Sequence, residues 1–217
     1  MRFTFTLKEG GNLLLSSLIL GFLFSLQNIY LFPAMSLIVG IAFVTHELSH
    51  KFVAEHYDCK AEYVLWPQGI LFSLIMGFLS GGNFIFAAIG YVSISNYYAT
   101  RLGYHWTHLS LEETGKISAA GPLSNVVLGI IFSMFPNNPF MAFGSFLNST
   151  LALFNLMPFP PLDGSKVFAW SRIAWASITA GAGAIFGLSL LINPIIAGII
   201  GLIVMVIMLF YMFYKEY

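Results

Sequence analysis

Within an otherwise apolar stretch the chain reads Thr45-His46-Glu47-Leu48-Ser49-His50. On a helix, residues four apart share a face, so the imidazoles of His46 and His50 can meet one metal ion. Glu47 lies one step round from His46, where its carboxylate can reach a water at that ion as general base, the arrangement HExxH provides in zinc peptidases. Ionisable residues in a membrane helix are costly and point to function. The competing reading, polar side chains serving as hydrogen-bonding glue between helices, does not call for three such groups within five residues.

A catalytic zinc takes three protein ligands and keeps a fourth place for water, so a third ligand has to be found. His56 stands where HExxHxxGxxH would put one. That pattern turns the chain at a glycine in position 53, and here Val53 is followed by Ala54. The helix should run on, leaving His56 about 240° round from His50 at roughly 100° per residue, as an interfacial histidine. Glu112 and Glu113 sit between Ser110 and Lys116, where a helix N-terminus favours acids. His105 and His108, in Tyr104-His105-Trp106-Thr107-His108, suit a second metal or, more simply, an aromatic-rich interfacial loop.

The elements that must carry these groups are membrane helices. Of 217 residues, 58% are hydrophobic and 8% charged, and the mean hydropathy is +0.84, far from a soluble domain. The net charge is zero and no run of Lys or Arg appears, which excludes a nucleic-acid partner. Cys59 is the only cysteine, so there is neither an internal disulfide nor a Cys-rich metal cage. The apolar run after the first residues lacks a small-residue cleavage site and reads as a retained span.

Apolar runs cover residues 13–31, 33–57, 70–94, 117–135, 140–157, 167–192 and 194–214. Each needs about 20 residues to cross a bilayer. In the third run, Gly77, Gly81, Gly82 and Gly90 interrupt the pattern, and Tyr91-Val92-Ser93-Ile94-Ser95 alternates like a strand. Six spans plus a re-entrant third run put Arg2, Lys8, Lys51, Lys60, Arg101, Lys116, Lys166, Arg172 and Lys215, every basic residue of the chain, on one side. By the positive-inside rule that side, with both termini, is cytoplasmic. The fold class is therefore all-α polytopic, with about six transmembrane helices and a re-entrant or β-containing segment around residues 61–95. Residues 1–217 read as one domain, with a catalytic core at 33–166 and C-terminal helices at 167–214.

This topology selects the third ligand. In Asn155-Leu156-Met157-Pro158-Phe159-Pro160-Pro161-Leu162-Asp163-Gly164, three prolines must end the fifth helical run and present Asp163 from a stiff non-helical loop. Asp-Gly alone is ordinary turn chemistry. But Asp163 can join His50 only after an even number of crossings, and the six-span topology supplies two. A full third span would leave it about 30 Å away, on the far face.

Together HELSH and the stretch from Asn155 to Gly164 resemble the HExxH and NxxPxxPxDG motifs of the site-2 protease family of intramembrane metalloproteases. Gly121-Pro122-Leu123-Ser124-Asn125 is similar to the GxxxN-type motif of that family's core helix. The resemblance covers the catalytic core of a minimal form with neither PDZ nor CBS domain. It implies His46, His50 and Asp163 as ligands of one Zn2+, Glu47 as base, Asn155 as a substrate-positioning or oxyanion-side residue, and Asn125 as a further substrate contact. The partner implied is a single-span segment of a membrane protein, cleaved within or near its transmembrane helix.

A helical substrate hides its peptide bonds and must unwind before attack. Ala61-Glu62-Tyr63-Val64-Leu65-Trp66 reads as a short strand whose free edge, around Val64, could hold the unwound segment by strand addition. Residues 69–110 form a stretch suited to a gate or lid. Two other readings remain: a metal-ion transporter, since broken helices and midplane polar residues also build transport sites, and a non-catalytic relative that binds membrane segments.

Overall fold

The computed structural model describes residues 5–95, 97–100, 103–191 and 193–215. Arg2 and Arg101, counted above, lie outside them, as do the side chains of His105 and Lys215. The chain divides into two compact units, Met1–His108 and Leu109–Tyr217.

In the first unit, α1 (Leu7–Phe24) begins at Thr6, whose hydroxyl accepts from the Glu9 N–H at 3.1 Å. A 3-10 turn, Ile29–Leu31, leads into α2 (Phe32–His56), with Pro33 in its first turn, where a missing N–H costs nothing. Small residues let the two helices approach closely. A Cβ at Gly21 would lie 2.2 Å from Ser36 Oγ and 2.4 Å from its Cα, and one at Gly40 would lie 3.2 Å from Ser17 Cβ.

Two segments read as strands in the sequence are strands. β1 (Lys60–Leu65) runs antiparallel to β2 (Gly90–Ser95), with Lys60 opposite Ser95 and Leu65 opposite Gly90. Between them α3 (Pro67–Leu79) has 13 residues, about 20 Å of helix, which falls short of a bilayer core of about 30 Å. The third apolar run is thus a short helix followed by a strand. β3 (Tyr97–Thr100) pairs with β4 (Gly103–Trp106), so the expected interfacial loop around His105 is instead half a hairpin. Tyrosine and tryptophan, present here at 104 and 106, are residue types enriched in strands.

In the second unit, α4 (Leu111–Ser133) starts with a capping box between Ser110 and Glu113, so the acids at 112 and 113 do open a helix. α5 (Pro139–Asn155) is capped by Asn138, whose side chain accepts from the Phe140 and Met141 N–H groups. The expected run 167–192 is broken at Ser171. There the backbone is extended and the hydroxyl caps the next helix, separating α6 (Asp163–Trp170) from α7 (Arg172–Ser189). α8 is Pro194–Lys215. Val126, Ala152, Leu156, Val167, Ile178 and Ile185 form the core of this unit.

The structure is mostly helical. Among the described residues three helices are long and apolar enough to cross a membrane, Leu7–Phe24, Ile29–His56 and Leu111–Ser133, and Pro67–Leu79 and Pro194–Ile207 are shorter apolar helices. The close crossing of α1 and α2 carries a prediction. Gly21→Val forces backbone apart and should cost about 1–3 kcal/mol, read as a lower unfolding temperature in detergent. Gly11→Ala, at a position with nothing within 4 Å, should not lower it.

Candidate metal centre

His46 and His50 lie one turn apart on α2, both buried. Their Nε2 atoms are 3.1 Å apart and the rings meet edge to face at 83°. Two nitrogens bound at 2.0–2.1 Å to a tetrahedral ion stand about 3.3 Å apart, so the pair fits a shared ion without rearrangement. Glu47, between them in sequence, is buried as well. As Val53 and Ala54 suggested, α2 continues through His56, which is exposed and packs against the Tyr57 ring.

One turn beyond Glu47, Lys51 is 1% exposed and its Nζ donates to both Glu9 oxygens, at 2.8 and 2.6 Å, with Glu55 at 3.7 Å. Glu9, itself fully buried in α1, also accepts the backbone N–H of Tyr63 through Oε1 at 3.0 Å. The Tyr63 hydroxyl lies 2.8 Å from Ser16 Oγ and its ring meets Phe43 at 5.7 Å. Burial holds the Tyr63 phenol well above its ordinary range; the Ser16 hydrogen bond opposes that rise and the Glu47 charge adds to it.

This arrangement settles which strand edge is open. The Trp66 N–H donates to Ile89 O at 2.9 Å, and antiparallel ladders alternate. Lys60, Glu62 and Val64 therefore direct their backbone groups toward β2, and Ala61, Tyr63 and Leu65 direct theirs outward. At Tyr63 the outward N–H is taken by Glu9. The edge expected to be free on β1 around Val64 is thus taken in part, because the Val64 amide belongs to the ladder and the N–H of its neighbour Tyr63 is capped by Glu9. Among the described residues no second strand pairs with β2, and the backbone groups of Val92 and Ile94 face away from β1. Val64 offers a side chain 37% exposed.

In the second unit Asp163 is the first residue of α6, not part of a loop as expected. The prolines occupy the non-helical residues 156–162, and a helix start suits a carboxylate. A Cβ at Gly164 would fall 2.1 Å from Leu156 O and 2.6 Å from Met157 O, so only glycine lets α6 begin against the end of α5. Trp175 Nε1 donates to the same Leu156 carbonyl at 2.6 Å. Asn155, the last residue of α5, donates its amide to Leu151 O at 3.0 Å within its own helix. Asn125 is fully buried and its Nδ2 donates to Asn148 Oδ1 at 2.8 Å, linking α4 to α5. The residue expected to contact substrate thus stands in the packing between two helices.

Glu9, Lys51 and Trp175 join the residues singled out by motif and spacing. For the first two a signal was present: an acid read as part of a polar start, and a lysine counted only for topology, both in runs where a charge needs a partner.

The chain is 33% identical over 186 residues to a "Putative zinc metalloprotease" of Methanocaldococcus jannaschii, a match that takes in 81% of this chain and 91% of that relative. No family model and no solved structure matches the chain. The relative's name and the donor chemistry found here agree on Zn2+ as the cofactor. His46→Ala and His50→Ala should each reduce bound zinc to about a tenth or less of the wild-type content, measured by atomic absorption on purified protein. His56→Ala should keep it.

Proposed function

The chain belongs to the zinc metalloprotease family of its archaeal relative, and from that premise we propose that it is an intramembrane endopeptidase of the site-2 type. The observation that carries this reading is the buried histidine pair with its intervening glutamate on a segment, Ile29–His56, apolar and long enough to span a bilayer. A soluble peptidase has no reason to put its metal ligands there.

In this proposal Asp163 joins His46 and His50 as third ligand. The support is the match of the stretch from Asn155 to Gly164 to the NxxPxxPxDG motif, with Asp163 at a helix start, a position that suits a carboxylate. When bound, zinc polarises the scissile carbonyl and lowers the pKa of its water toward 7. Glu47 accepts the proton of the attacking water and returns it to the leaving amine. Asn155 turns its amide from Leu151 O to the substrate carbonyl. An unwound segment of a single-span membrane protein pairs with the outer edge of β2, flanked by the Val64 side chain. The chain acts as one domain of about six spans with cytoplasmic termini, as the distribution of basic residues along it suggests.

The deciding experiment is cleavage of a panel of single-span segments in liposomes by wild type and Glu47→Gln, with metal analysis of both. Glu47→Gln should keep its zinc and lose turnover by about 10²–10⁴-fold; equal activity in the two refutes the mechanism, and metal flux without cleavage would make the protein a transporter. A second prediction concerns the strand edge. Val92→Pro removes an outward-facing donor while sparing the β1–β2 ladder, so cleavage should fall with zinc retained. Unchanged cleavage would rule out strand addition at β2.

A further inference from the structure

Glu9 does more than neutralise Lys51. A fully buried carboxylate is retained only where its lone pairs are used, and one of its oxygens serves both the Lys51 ammonium and the Tyr63 backbone N–H. Lys51 follows His50 directly and stands one turn after Glu47, so it marks the turn of α2 that carries HELSH. Tyr63 lies mid-strand in β1. A single carboxylate on α1 thus refers the sheet to that turn and occupies the outer edge of β1.

We propose that Glu9 is a positioning residue for substrate. By accepting the Tyr63 N–H it closes β1 to strand addition and holds the sheet in register with the HELSH turn, so that an extended segment pairs with β2. The inference rests on the hydrolase reading above and deepens it. Two neighbouring contacts share the load: the Ser16 hydroxyl on the Tyr63 phenol and the Phe43 ring on the Tyr63 face. Neither reaches the Tyr63 backbone.

The test compares two double variants of the full chain, Glu9→Gln/Lys51→Met and Glu9→Ala/Lys51→Met. Both remove the ion pair; only the first keeps an acceptor for the Tyr63 N–H. In liposomes with a cleavable single-span segment, the Gln variant should keep a KM near wild type, and the Ala variant should raise KM about tenfold with kcat changed less. Zinc per chain should be the same in the two, and both should be folded at the assay temperature, with the Ala variant the less stable. Amide hydrogen exchange at Tyr63 should be at least about tenfold faster in the Ala variant. Equal KM and equal Tyr63 exchange in the two variants would overturn the inference, as would a KM difference that merely follows zinc content. If wild type cleaves no segment, the hydrolase reading fails, and the Tyr63 exchange still decides whether Glu9 seals the strand.

Discussion

A charge withdrawn from water must bring its partner with it, and the first unit is organised around that requirement. Lys51 is buried because Glu9 is buried beside it, with Glu55 one turn further along α2. Once both charges are inside, every remaining lone pair has to be used. The Tyr63 amide fills one of them, so the pair that joins two helices also fixes a strand. The small-residue contact of Gly21 with Ser36 makes this possible, because it brings α1 and α2 close enough for a carboxylate to bridge them.

The second unit reaches a comparable precision without charges. The end of α5 and the start of α6 approach so closely that a Cβ at position 164 would overlap the Leu156 carbonyl. That carbonyl is itself held by the Trp175 indole. Asp163 therefore begins a helix whose origin is fixed by backbone contact, and the neighbouring prolines keep the preceding segment from continuing α5. Asn125 and Asn148 hold α4 to α5 by an amide pair, and the Ser145 hydroxyl adds a second link between them by donating to Gly129 O.

Much of this was legible in the residues. The i,i+4 histidine spacing implied one shared face, and the rings do converge. Val53 and Ala54 implied that α2 runs on past His50, and it does. The alternation at 91–95 implied a strand. What could not be read was anything decided by a partner distant in sequence. Glu9 lies 42 positions from Lys51 and 54 from Tyr63, and no local pattern announces such a contact. A strand's sequence does not say which of its sides is taken, so the Glu9 contact on β1 is invisible there. Prolines mark where a helix ends, and nothing in the few residues after them distinguishes a turn from the short helix that Asp163 begins. The break at Ser171 is similar: one serine in an apolar run is silent until its hydroxyl is seen capping α7.

The long reach of Glu9 also bears on biogenesis. A ribosome delivers α1 first, so the carboxylate enters its surroundings before the ammonium of Lys51 or the amide of Tyr63 has been synthesised. Neither contact can form until the residue concerned has been made, so the buried carboxylate joins its helix to another helix and to a strand only in the assembled unit.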